Sequence, residues 1–122
     1  MTEPDLAPKA IDWQKCLQLA NQNAEIARLA LAAFIDDLRE NLALAQQSFI
    51  NQDITGLRGY IHKLHGGSYY CGVPQLSQCL AELDKQLSLN NIKILHLLMI
   101  PLENEAQRIF TAYAEQRYED QS

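Results

Sequence analysis

Apolar residues recur along this chain at the three-and-four spacing of amphipathic helices, and no stretch alternates as a strand does. The spacing predicts a short helix capped by Asp12 and ending near Ala20, and longer helices over about 24–50, 53–70, 74–89 and 92–118. Short connections between amphipathic helices favour an antiparallel bundle. We therefore predict an all-α fold: an antiparallel four-helix bundle with a short extra N-terminal helix across one end.

Each long helix carries one apolar stripe that is expected to face the core. The stripes comprise Ile26, Leu29, Ala30, Ala33, Phe34, Leu38, Leu42, Ala45 and Phe49; Ile54, Leu57, Ile61, Leu64, Ser68 and Cys71; Leu76, Leu80, Leu83 and Leu87; and Leu95, Leu98, Met99, Leu102, Ala106, Ile109 and Tyr113. Gly72 is expected to end the third helix, and Pro101 to kink or split the last. We expect a tail or linker over residues 1–10, the domain over 11–118 and a frayed end over 119–122.

The third helix places a histidine on a face with few side chains. At about 100° per residue, His62 lies well away from the apolar stripe and should meet solvent. Gly59 and Gly66, three residues before it and four after, are its neighbours on the helix surface. Each glycine inside a helix costs roughly 1 kcal/mol against alanine. Packing does not require this arrangement, whereas close approach by another protein does.

Composition and charge exclude several classes of protein. The chain has 122 residues, which suits one domain with a real core. Its net charge of −5 argues against a general nucleic-acid binder, which normally carries a basic patch. No apolar run approaches the roughly 18 residues that span a bilayer, so we expect no direct membrane contact. Cys16, Cys71 and Cys79 form no disulfide framework, which favours free thiols in the cytosol.

The histidine lies in a motif that resembles a known family. The stretch His62-Lys63-Leu64-His65-Gly66-Gly67-Ser68, followed by Gly72-Val73-Pro74-Gln75-Leu76, resembles histidine-containing phosphotransfer (HPt) domains, whose pattern is roughly H-x-[LI]-K-G-x-[SA] with glycine and leucine following. It is most similar to the C-terminal HPt domain of BarA/GacS-type hybrid sensor histidine kinases. The resemblance covers most of the chain. It implies a four-helix bundle that presents a phosphorylatable histidine.

The resemblance also implies roles. His62 would accept a phosphoryl group from a receiver-domain aspartate and pass it to a response-regulator aspartate, without autonomous kinase activity. His65 stands where the family has lysine, so positive charge near the phosphate would depend on Lys63 or a protonated His65. Asp84, with Lys85 beside it, falls where related domains place a glutamine facing the histidine, and its carboxylate could orient the imidazole through Nδ1. The residues expected to line the docking surface are Arg58, Gly59, Gly66, Gly67 and Tyr69.

The partners and cofactors follow from the same resemblance. We expect receiver domains of a hybrid kinase and of a response regulator as partners, with Mg²⁺ bound by the receiver and no cofactor on this chain. We expect a cytoplasmic monomer that is either a free protein or, as the favoured interpretation, the end of a hybrid kinase, which would tether it to the inner membrane.

Two alternatives remain open. His62 and His65 are three residues apart and could bind a metal with Cys71 and Cys79, although no second close pair exists and Gly66 and Gly67 would be unexplained. A plain helical interaction module without phosphate chemistry is the other alternative.

Overall fold

The structure is a computed structural model that describes residues 9–120. It contains five α-helices: α1 (Trp13–Leu19), α2 (Ala24–Ile50), α3 (Ile54–Ser68), α4 (Pro74–Ser88) and α5 (Leu95–Glu115). Short 3-10 turns lie at Ile92–Ile94 and Tyr118–Asp120, and residues 9–120 form no strand. The predicted all-α bundle with an extra N-terminal helix is confirmed.

Local sequence signals explain where these helices begin and end. Asp12, Asn23 and Asp53 precede α1, α2 and α3, and each side chain accepts a hydrogen bond from the backbone N–H three residues on. Pro74 opens α4 at a position where its missing N–H costs nothing. Left-handed backbone occurs in the turns after helices at Asn21, Gln22, Gln52, Asn90 and Gln116. Such single residues reverse the chain without extending the helix.

Four helices enclose one core. Helix α2 packs on α3, α3 on α4 and α4 on α5. Helices α2 and α5 meet where the Arg39 guanidinium lies 4.6 Å from the centre of the Phe110 ring. The predicted stripes of α3, α4 and α5 hold, since every residue in them is buried or half-buried.

The predicted stripe of α2 is wrong in its first half. Ile26 and Leu29 are 52% and 65% exposed, and Ala33 is exposed as well. Their places in the core are taken by residues one or two positions away, namely Ala27, Leu31 and Ile35. Residues 24–35 are apolar on nearly every side, so periodicity alone could not select the buried face.

Helix α1 closes the end of the bundle at which α3 ends and α4 begins. The Asp12 N–H donates to the carbonyl of Gly72 over 2.7 Å, and Trp13 packs against Tyr118 with ring centres 5.7 Å apart. A Cβ on Gly72 would collide with the Asp12 carbonyl oxygen. Gly72 does not end α3 as predicted, because α3 stops at Ser68 and Gly72 has no positive φ. This glycine allows the two chain segments to approach closely.

The ends of the domain differ in detail from the sequence prediction. Most of the predicted tail, and residues 121–122 of the predicted frayed end, lie outside the described residues. Two residues that the sequence assigns to the tail and to the frayed end are held against the domain. Ala10 is buried, and the Glu119 carboxylate lies 2.7 Å from the Arg28 guanidinium. Helix α5 runs without interruption through Pro101, so this proline does not split it.

Candidate functional site

The site lies midway along α3, where His62 stands on the exposed side of a well-anchored helix. Its neighbours Ile61 and Leu64 are fully buried, which fixes the rotation of α3 about its axis. The side chain of His62 is 78% exposed as a result. The core stripe therefore determines which residue is presented to solvent.

One carboxylate from the adjacent helix contacts this imidazole. Asp84 of α4 brings Oδ2 within 3.1 Å of Nδ1 of His62. An ionised carboxylate can only accept hydrogen bonds, so a neutral His62 donates through Nδ1–H. Nε2 then carries the lone pair and faces away from Asp84. The pair thus fixes the tautomer and leaves a nucleophilic nitrogen exposed.

A second histidine shares the same carboxylate oxygen. Nδ1 of His65 lies 2.9 Å from Oδ2 of Asp84, and its Nε2 lies 2.8 Å from the Tyr69 hydroxyl. The His65 side chain is only 18% exposed. Both ring nitrogens of His65 therefore have partners within the fold, and neither points freely toward an incoming group.

The shared carboxylate stays ionised. Partial burial alone would raise the pKa of Asp84, but hydrogen bonds from His65 and His62 outweigh it and hold that pKa below its ordinary value. Asp84 is therefore an acceptor for both imidazoles at neutral pH.

The glycines beside His62 leave open space, with one exception. A Cβ built on Gly59 or Gly66 would meet nothing within 4 Å. A Cβ on Gly67 would instead lie 3.5 Å from the ring of Phe34. Gly59 and Gly66 thus flank the histidine on a bare face, whereas Gly67 points into the groove between α2 and α3. The prediction that Gly67 lines an exposed docking surface does not fit this position.

The basic residues named from the sequence are exposed around this site. Lys63 and Lys85 are exposed and adjoin His62 and Asp84 along the chain. The Arg58 guanidinium reaches the Ser88 hydroxyl at 3.5 Å, and it lines a shallow depression with Gly59 and His62. Arg58 is therefore the basic residue that the structure places beside His62, whereas Lys63 and Lys85 are exposed residues next to His62 and Asp84 in the sequence.

The two cysteines considered as metal ligands are buried or half-buried, and their thiols are harder to deprotonate than a free thiol. Cys71 is buried with its sulfur 3.6 Å from the Ala30 carbonyl oxygen, and burial raises its thiol pKa to about 12. Burial also raises the pKa of Cys79. Within residues 9–120, no group of three or more His, Cys, Asp or Glu residues is arranged to hold a metal ion.

One contact in the site was missed at the sequence level. The sequence predicts Tyr69 on the docking surface and indicates no contact with His65, whereas in the structure the Tyr69 hydroxyl lies 2.8 Å from Nε2 of His65 and the two rings lie 5.0 Å apart. The two residues are four positions apart, a spacing at which helical side chains meet. The four-residue spacing could therefore have indicated this contact from the sequence.

Comparison with known proteins gives one consistent result. The sequence profile of the Hpt domain matches residues 29–112. Sensor protein GacS from Pseudomonas syringae pv. syringae is 36% identical over 74 residues, which is 61% of this chain. The signal transduction histidine-protein kinase BarA from Escherichia coli K12 is 32% identical over 77 residues, or 63% of the chain. Each match covers only 8% of the relative's length.

Solved structures resemble the fold over nearly its whole length. The HPT domain of a sensor hybrid histidine kinase from Shewanella superposes with a TM-score of 0.83 at 26% identity, covering 93% of this chain and 97% of that one. Histidine-containing phosphotransfer protein B from Pseudomonas aeruginosa PAO1 gives a TM-score of 0.77 at 20% identity, covering 91% and 96%. The second match bears on the fold alone.

Proposed function

This chain belongs to the Hpt domain family, whose members carry phosphoryl groups in two-component phosphorelays, and we propose that His62 is its phosphoacceptor. Hpt domains are phosphocarriers rather than enzymes, and their partners are receiver domains. The observation that supports the assignment most is the exposed Nε2 of His62, opposite a ring nitrogen bonded to Asp84.

The proposed transfer uses this lone pair directly. Nε2 of His62 attacks the phosphorus of a receiver's aspartyl phosphate, the N–P bond forms, and the O–P bond breaks with its electrons returning to the receiver carboxylate. The proton on Nδ1 stays in place, so the phosphorylated ring gains positive charge. Asp84 stabilises that charge from 3.1 Å away, as positioning and electrostatics dominate phosphoryl-transfer catalysis. Transfer to a second aspartate reverses these steps.

The surroundings of His62 suit a protein partner. Reacting atoms must come within about 3–3.5 Å, which requires the receiver surface to approach the helix closely. Gly59 and Gly66 leave room for that approach. Arg58, Lys63 and Lys85 bring positive charge toward the phosphoryl group, and Tyr69 adds an exposed aromatic edge.

The proposal extends to activity, cofactors, partners, oligomeric state and location. The chain acts without autonomous kinase activity and without a cofactor of its own, with Mg²⁺ supplied by the receiver. Its partners are receiver domains of a hybrid kinase and of a response regulator, and it works as a monomer in the cytoplasm. Among residues 9–120, no helix has the length and apolar character to cross a bilayer.

Labelling by phosphorylated receivers tests the proposal. We expect a panel of phosphorylated receiver domains to label the wild-type chain with an acid-labile, base-stable phosphate, as a phosphoramidate is. His62→Gln should keep its helical circular dichroism, because the side chain is exposed, and should take no label. Full labelling of this variant would refute the assignment. An acid-stable label would place the phosphate on a hydroxyl instead, and no label from any receiver would favour a plain interaction module.

A further inference from the structure

The carboxylate that orients His62 is itself held by a second imidazole. Oδ2 of Asp84 lies 2.9 Å from Nδ1 of His65 and 3.1 Å from Nδ1 of His62. The bond to His65 is the more sheltered, because the His65 side chain is 18% exposed against 78% for His62. Water competes less for a sheltered hydrogen bond. The hydrogen bond from His65 therefore holds the Asp84 carboxylate in position to accept a second hydrogen bond from His62.

His65 is in turn fixed at its other ring nitrogen and at its backbone. The Tyr69 hydroxyl lies 2.8 Å from Nε2, so with Nδ1–H donating to Asp84 the hydroxyl donates to Nε2. The carbonyl of His65 accepts from the Ser68 hydroxyl over 2.7 Å, and Ser77 of α4 donates to that hydroxyl over 2.8 Å. Three polar links thus hold His65 at the α3–α4 contact.

We infer that His65, braced by Tyr69, is a positioning residue that acts on His62 through Asp84 and does not contact the phosphoryl group. This inference rests on the proposed role of His62. The phosphoryl group would sit on Nε2 of His62, which points away from Asp84, while both nitrogens of His65 are engaged elsewhere. The role differs from that of a charge beside the phosphate, which the sequence alone had left open for this residue.

Two substitutions at His65 separate these roles. In His65→Asn, the amide nitrogen is as many bonds from the backbone as Nδ1 and can still donate to Asp84. In His65→Gln, the amide lies one bond further out, at the place of Nε2, and the donor to Asp84 is lost. Neither side chain can carry a charge. Tyr69→Phe removes only the hydroxyl, and His65→Lys supplies charge without the Nδ1 donor.

The measurements use the whole 122-residue chain. Nitrogen-15 NMR reports the tautomer of each histidine, and the three signals are assigned with His62→Gln and with substitutions at His65 and His96. In the wild type, His62 should carry its proton on Nδ1. His65→Gln should move that proton toward Nε2 and slow transfer from a phosphorylated receiver about tenfold, the equivalent of one hydrogen bond to a charged group. His65→Asn keeps a donor to Asp84 but has no atom at the place of Nε2 for Tyr69. It should therefore keep the wild-type tautomer and, like Tyr69→Phe, transfer at a rate between those of the wild type and His65→Gln.

Each contrary result has a defined meaning. Wild-type rates for His65→Lys, together with transfer as slow in His65→Asn as in His65→Gln, would show that charge matters and would overturn the inference. A lowered melting temperature in His65→Gln with an unchanged His62 tautomer would reduce His65 to a structural residue. If the tautomers respond as expected but wild-type His62 takes no label, the proposed function fails while the positioning role stands.

Discussion

Replacing Gly66 with glutamine should make the protein more stable and its phosphotransfer much slower. A Cβ at this position meets nothing within 4 Å, so the first atom of a new side chain has room. Glycine inside a helix costs about 0.5–1 kcal/mol relative to alanine, and glutamine is nearly as good a helix former. Because Gly66 is two residues from the end of α3, we take about 0.5 kcal/mol, which raises the melting temperature of a domain this size by about 2 °C.

The loss of transfer follows from the direction of helical side chains. They lean toward the helix N-terminus, so a side chain at 66 leans over the preceding turn, where His62 lies. It would stand between Nε2 and the incoming aspartyl phosphate. A displacement of about 1 Å from productive geometry can cost about a hundredfold in rate, and we expect a loss of that order.

Gly59→Gln is the matched control, because it adds the same side chain on the other side of His62. Its Cβ also meets open space, so stability should rise at least as much in the middle of α3. Its side chain leans away from His62, and the loss of transfer should be clearly smaller. Thermal unfolding and the rate of transfer from a phosphorylated receiver are measured on both variants. A destabilised Gly66→Gln that transfers at the wild-type rate would refute the hypothesis that Gly66 keeps the helix face beside His62 open for a docking partner.

Two further predictions concern stability. The hydrogen bonds that lower the pKa of Asp84 below 3.8 contribute stability that is fully present above that value and is lost as pH falls through the lower folded-state pKa. Asp84→Asn should therefore lose less stability than the wild type between about pH 5 and about pH 2, and parallel acid-unfolding curves would contradict this. Gly72→Ala should lower the free energy of unfolding by about 1–3 kcal/mol, because its methyl group collides with the Asp12 carbonyl, and an unchanged melting temperature would refute that close contact.

The fold was predictable because its local and global signals agree. Polar breaks, the cap at Asp53, the opening Pro74 and one clear stripe per helix specify α3, α4 and α5 within a few residues. The prediction of the buried face failed in the first half of α2, where the hydrophobic pattern does not single out one face. Residues 24–35 of α2 are apolar on most sides, so only packing against α1 and α3 decides that Leu31 is buried and Leu29 exposed.

The candidate site was predictable in part, and for two different reasons. Helical rotation alone places His62 in solvent and glycines beside it, so periodicity and composition could indicate the bare face. The assignment of Asp84 opposite His62 came from the family pattern, and the structure brings the two within hydrogen-bond distance. The hydrogen bonds of His65 to Asp84 and Tyr69 were not assigned, because the contact with Asp84 depends on how α3 and α4 align.

That alignment is what turns an ordinary surface aspartate into the partner of His62. Three contacts follow one antiparallel register between α3 and α4: Arg58 with Ser88, His62 with Asp84, and Ser68 with Ser77. A slip of one helical turn, about 5.4 Å, would bring position 80 or 88 of α4 toward His62 in place of Asp84. Leu80 or Ser88 would stand there, and neither carries the negative charge that can stabilise a phosphorylated imidazole. The four buried leucines of α4 and the hydroxyl pair at Ser68 and Ser77 resist such a slip. The core and the short loop before Pro74 therefore determine which group of α4 faces His62.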